Sequence, residues 1–247
     1  MTLDKEYPKT GKDGGSILKI IYNILYDRFG KMNWWPAESD FEVMVGAILT
    51  QNTAWTNVEK AIYNLKSRNL LSFEALQAID LDLLKECIRP SGYYNQKAVK
   101  IKEFINFAKK DYNFSIELMK KENTAVMRGR LLDIYGIGEE TADSIMLYAL
   151  KKPVFVIDAY TRRILERHHI IEGAMKEKYK NLQKYFTDNI FDEYDGEINN
   201  EINGKKNVEI CNEYHALIVM TGKMFCKRIP LCNDCPLKEL NHSKIIK

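Results

Sequence analysis

The chain has 247 residues, 45% of them hydrophobic and 29% charged, with 37 Lys and Arg against 34 Asp and Glu. That is too apolar for a disordered chain and long enough for one large domain or two small ones. No run of about 18 apolar residues is present, so a transmembrane helix is excluded, and the polar start MTLDKEYPKTGKDGG lacks the apolar core of a signal peptide. The reading is a cytoplasmic protein whose thiols are reduced unless they hold a metal.

The apolar spacing predicts helices almost throughout. Ser16 is a candidate N-cap for a helix with Ile17, Ile20, Ile21, Ile24 and Leu25 on one face. Ser39 and Glu42 make a capping-box pattern before Phe41, Met44, Val45, Ile48 and Leu49, and Thr56 with Glu59 repeats it before Val58, Ala61, Ile62 and Leu65. Short helices follow at 73–79 and 81–88, the second stopped by Pro90 and Gly92. Longer ones fit 95–110, 124–133, 139–150, 159–168, 177–189 and 207–221, with Gly222 as C-cap. Val154–Ile157 is the single β-like run, too short to imply a sheet, so the fold class is all-α. Residues 1–15 read as a tail, and the acidic stretch 192–206 as a surface loop.

The net charge of +3 conceals an uneven distribution. Residues 186–204 carry six acids and no base, which leaves +9 for the remainder. Near the middle, Leu131-Leu-Asp-Ile-Tyr-Gly136-Ile-Gly138-Glu-Glu-Thr141-Ala142 sets two glycines around one apolar residue between helical patterns. Glycines permit a tight turn and a close approach to phosphate, and the amides opening the next helix face an anion. This is a helix-hairpin-helix pattern, whose plain alternative is an ordinary turn between two helices. Lys97, Lys100 and Lys102 read equally as groove-lining or solvating lysines, and Lys151 and Lys152 as a solvated helix end.

Several motifs occur in a telling order: Thr50-Gln51-Asn52-Thr53, Gly92-Tyr93-Tyr94-Asn95-Gln96-Lys97-Ala98, the glycine hairpin, Val156-Ile157-Asp158 at a helix start, then clustered cysteines. Together they resemble the endonuclease III superfamily of helix-hairpin-helix DNA glycosylases, over residues 16–240. Trp34-Trp35-Pro36 and Arg89-Pro90-Ser91-Gly92 bring the chain nearest to the 3-methyladenine DNA glycosylases of that superfamily. The resemblance implies two helical lobes with the DNA groove and base pocket between them: 39–150 as the central lobe, 16–38 with 151–222 as the terminal lobe, and 223–247 as a cysteine-cluster loop and tail.

What the resemblance implies chemically is specific. The partner is double-stranded DNA with a damaged base, met by a monomer without membrane attachment. Asp158 is the catalytic carboxylate, stabilising positive charge on the deoxyribose and orienting water. Relatives that also cut the strand carry a Schiff-base lysine where Glu140 stands, so hydrolysis without strand cleavage is implied. Trp34 and Trp55, with Trp35 and Pro36, form an aromatic pocket for a flipped, cationic alkylated purine. Gln51 and Tyr93 resemble the wedge residues that enter the opened stack. Asn95, Lys97, Gly136, Gly138 and Thr141 are assigned to DNA binding. The alternatives are a glycosylase for another damaged or mismatched base, and a DNA-binding protein with no catalysis.

Cys226-x5-Cys232-x2-Cys235 falls where endonuclease III relatives hold a [4Fe–4S] cluster with four cysteines. Here Asn241 and His242 stand near the fourth position. The resemblance implies a [4Fe–4S] cluster, held by the three cysteines with His242 or an external ligand; the alternatives are zinc on the three cysteines and His242, or a metal-free loop. Cys211 reads as core, on one helical face with Val208, His215 and Ile218. His168 and His169, following Arg162, Arg163 and Arg167, read as a basic helix end.

Overall fold

The computed structural model describes residues 14–190 and 201–240, and among these residues every regular element is helical. The chain forms two units, one running to Trp34 and resuming at Pro153, the other being Trp35–Lys152. α1 (Gly14–Phe29) opens the first unit. The second contains α2 (Asp40–Leu49), α3 (Trp55–Ser67), α4 (Phe73–Ala78), α5 (Leu81–Ile88), α6 (Tyr94–Tyr112), α7 (Ile116–Lys121), α8 (Thr124–Leu132) and α9 (Glu139–Ser144). The first resumes with α10 (Ala159–Arg167), α11 (Tyr179–Ile190) and α12 (Glu201–Met224).

In the Trp35–Lys152 unit, α2 is the central rod: every residue from Phe41 to Leu49 is buried. Ser39 caps it, its hydroxyl accepting from Glu42 N at 3.1 Å, as the box pattern predicts. The second predicted box is absent. α3 begins two residues earlier, at Trp55, with Ala54 as cap and no side-chain bond. α7, capped by Ser115, was not predicted; it is six residues long and buries only Met119, so it offers no apolar periodicity. The predicted helix at 139–150 loosens into one π turn at Ile145–Ala149, all of it buried.

Three lysines close helix ends from a distance. Lys102 Nζ donates to the carbonyls of Leu76, Gln77 and Ile79 at 2.9, 3.0 and 2.6 Å, at the end of α4. Lys152 Nζ donates to Lys120 O and Glu122 O at 2.9 and 2.6 Å, at the end of α7. Lys152 is therefore buried, not part of a solvated helix end. Lys97 does the same for Leu49 O at the end of α2. A cation there meets carbonyls that the helix itself leaves unpaired.

The other unit packs α1 against α11 and α12, and α10 against α12. Phe155 and Phe186 stack at 3.9 Å, with Tyr214 edge-on to both. The run Val154–Ile157 forms no strand; Phe155, Val156 and Ile157 are buried in extended backbone that leads into α10. Gly222 is not a C-cap, since α12 continues to Met224. It is a contact point: a Cβ there would collide with the Tyr160 ring of α10. The start of α12 also corrects the loop expected at 192–206, because Glu201–Lys206 are helical, while 191–200 lie outside the described residues. Of the expected tail, Gly14 and Gly15 belong to α1, and 1–13 are not described.

Candidate active site and nucleic-acid interface

The glycine hairpin joins α8 to α9. Gly136 has φ +78, and a Cβ on it would lie 2.5 Å from the Lys100 side chain, so both backbone angle and space demand glycine. Gly138 is exposed and caps α9 from extended backbone, with no side-chain cap bond. Behind the hairpin, Arg128 holds the buried Asp143 in a two-pronged pair at 2.7 and 3.0 Å and reaches Glu139 at 3.7 Å.

Gln51 ties the 50–53 turn to this hairpin. Its Nε2 donates to Gly136 O and to Thr141 Oγ1, each at 3.0 Å, and its Oε1 accepts from Lys100 Nζ at 2.5 Å. Two expectations change as a result. The Thr141 hydroxyl is buried and spent inside the protein, and the Gln51 amide is engaged rather than projecting. Lys97 changes more: it is 1% exposed, with Nζ donating to Leu49 O at 2.8 Å and Ser91 O at 2.7 Å. It lines no DNA-facing surface. Burial, with Lys100 beside it, lowers its pKa to about 8. Asn95 is exposed on the first turn of α6, and Tyr93 just before it is 67% exposed with φ +46.

The tryptophans divide between the units. Trp35 meets Trp55 edge-on at 5.0 Å and Tyr148 at 5.1 Å, and lies against Gly46, whose missing side chain makes room for its ring. This corner borders a cavity of about 250 Å³, further lined by Pro36, Tyr63, Glu59 and the ion-pair group of Lys66 with Glu42 and Glu38, at 2.7 and 2.9 Å. Trp34 belongs to the other unit, where Lys223 Nζ stands 5.0 Å above its ring.

Asp158 is the N-cap of α10. One carboxylate oxygen, Oδ1, accepts from Thr161 N at 2.7 Å and Thr161 Oγ1 at 2.9 Å, which locks its rotamer. The other, Oδ2, stands 3.7 Å from Nε2 of the buried His215 on α12. The apolar spacing of α12 marks His215 only as a core residue, and no sequence signal pairs it with Asp158. Burial holds its pKa below the ordinary value, against the opposing pull of Asp158. Glu140 is exposed on the first turn of α9.

Cys226 and Cys235 are buried and Cys232 is exposed, and both Cys226 and Cys232 lie near enough to Cys235 to act electrostatically on its thiol. Among the described residues no three His, Cys, Asp or Glu side chains are placed to hold a metal. His242 lies outside the described residues. The loop is instead held from α10. Arg163 Nε donates to Cys226 O at 2.5 Å, and Arg167 donates to Lys227 O at 2.6 Å, Arg228 O at 3.1 Å and Cys226 Sγ at 3.4 Å. The described residues supply three thiols and no fourth ligand. Cys211 is core, as its helical spacing predicts. His168 is buried and His169 exposed at the end of α10, so only the second faces solvent.

The hairpin, the Gln51 latch and the capped Asp158 all lie within residues 45–189, which match the family described as "HhH-GPD superfamily base excision DNA repair protein". The chain belongs to this superfamily. It is 46% identical over 225 residues to "Putative DNA repair glycosylase MJ1434" of Methanocaldococcus jannaschii, covering 91% of this chain and 95% of that protein. It is also similar to the crystal structure of the H. pylori 3-methyladenine DNA glycosylase MagIII bound to 1,N6-ethenoadenine. That likeness has a TM-score of 0.71 and 33% identity, and covers 85% of this chain and 97% of the other. A non-covalent endonuclease III–DNA complex shares the fold at TM-score 0.73 and 19% identity, over 92% and 94% of the two chains. Among the described residues of this HhH-GPD protein, no helix is long and apolar enough to cross a membrane.

Proposed function

We propose that this HhH-GPD protein is a monofunctional DNA glycosylase that hydrolyses the N-glycosidic bond of flipped, alkylated purines in double-stranded DNA. The observation that carries the substrate class is the lining of the Trp35–Trp55 cavity. Its walls are aromatic, and three carboxylates (Glu38, Glu42, Glu59) face a single cation, Lys66. Such a lining favours a cation, and a purine alkylated on a ring nitrogen is one; aromatic contact with it is worth roughly 0.5–2 kcal/mol. The likeness to MagIII supports the same reading.

In this reading the cavity binds a cationic base, and Asp158, in the other unit, is the carboxylate assigned to the sugar chemistry. With Oδ1 occupied by Thr161, Oδ2 is the oxygen that meets the developing positive charge or orients the attacking water. The cationic base leaves readily, so the residues need supply little proton donation. Glu140, at the position of the strand-cutting lysine, cannot form an imine, and Lys152 has its ammonium committed to two carbonyls. Gly136 and Gly138 let the hairpin backbone approach phosphate. The described cysteines make no ligand set, and the [4Fe–4S] cluster suggested by the sequence supplies no step here.

The test is release of free bases from methylated duplex DNA by the purified protein and by Asp158→Asn. Wild type should release 3-methyladenine, and the variant should be slower by about two to four orders of magnitude with its helicity unchanged. Borohydride should trap no enzyme–DNA adduct. An adduct would overturn the monofunctional assignment. Release of mispaired thymine in place of the alkylated purine would overturn the substrate class, and DNA binding with no release at all would favour a binder without catalysis.

A further inference from the structure

Lys97 is the most deeply buried lysine among the described residues, and its position is informative. Burying an ammonium costs far more than burying a methionine of the same length, so its retention needs a reason. Its two acceptors supply one. Leu49 is the last residue of α2 and leads into Thr50-Gln51-Asn52-Thr53; Ser91 leads into Gly92-Tyr93. A single ammonium therefore joins the two turns at the N-terminal end of α6. Both turns hold residues in the left-handed region, Asn52 at φ +51, Gly92 at φ +66 and Tyr93 at φ +46. For a tyrosine that conformation is strained and must be imposed by its surroundings. The ring it presents is 67% exposed, which serves no packing purpose. One turn along α6, Lys100 adds a parallel strut to Gln51, and Gln51 reaches the hairpin.

We infer that Lys97 is a positioning residue for duplex opening: it locks the Gln51–Asn52 turn and the Tyr93 turn into one rigid edge, so that the Tyr93 ring enters the base stack without either turn yielding. The inference rests on the proposal that this protein flips bases. Its ligand is the base stack beside the target nucleotide. Lys97 itself touches no DNA.

The experiment uses the full chain and a duplex carrying 2-aminopurine beside the target base, whose fluorescence rises when the stack opens. Lys97→Met, Tyr93→Ala and the double variant are compared with wild type. Lys97→Met should reduce the opening rate about tenfold while affinity for undamaged duplex changes less than about twofold. The double variant should be no slower than Tyr93→Ala, because both changes remove one function. With the lesion held unpaired in a bubble, base release by Lys97→Met should match wild type. Independent, multiplying losses in the double variant would overturn the inference, as would wild-type opening by Lys97→Met or no opening by the wild type. If Lys97→Met does not fold, Lys97→Arg, which keeps a cation but displaces its donors, is put through the same comparison with the same deciding outcomes. A wild type that opens DNA in a Lys97-dependent way yet releases no alkylated purine refutes the substrate reading alone.

Discussion

At the scale of the residue, chemistry depends on what each polar group has already been given. Asp158 has one oxygen fixed by Thr161 and the other facing His215, so its orientation needs no help from substrate. Burial holds His215 below its ordinary pKa of 6.5. The folded chain takes up this proton less readily than the unfolded chain, so stability present above the ordinary value is lost as pH falls through it. Chemical denaturation at about pH 7 and about pH 5 should therefore show a smaller loss for His215→Gln than for wild type. An equal loss would mean that other groups carry the acid sensitivity. Glu140 illustrates a role legible from type alone, since no placement turns a carboxylate into an amine.

At the scale of the element, the helices were legible where apolar residues recur on one face, and the ends were legible where a side chain caps them. Ser39, Ser72 and Asp158 cap as their residue types suggest. The failures have a common cause. α3 starts at an uncapped Ala54, and α12 runs through Gly222, because packing and not local preference sets those ends. Glycine in mid-helix costs about 1 kcal/mol against alanine. Gly222→Ala should nevertheless destabilise by about 1–3 kcal/mol, because the collision with Tyr160 outweighs the helical gain. Denaturant melts decide this, and a stabilised variant would show that α10 and α12 can move apart freely. The 226–228 loop offers a second prediction at this scale. Its anchors are Arg163 and Arg167, so Arg167→Ala should lower thermal stability. An unchanged melting temperature would show that other contacts hold the loop.

At the scale of the whole molecule, the +9 left after setting aside residues 186–204 is what a backbone-binding enzyme requires. Affinity for undamaged duplex should fall steeply with salt, and the slope of log K against log salt measures how many phosphates are neutralised. A flat response would deny the basic surface any part in binding. What the sequence by itself determined were the local properties: helical class, the glycine hairpin and the capping aspartate. Each depends on residue type and on neighbours within about two turns. Only the tertiary structure decided which polar groups are already spent. Lys97 and Thr141 read as DNA contacts in sequence and are buried in the fold; Gln51 is latched to the hairpin; and His215 stands beside Asp158. Hydrogen bonds between residues 40 to 90 positions apart leave no periodic trace, because their geometry comes from how helices cross and not from how the chain is spelled.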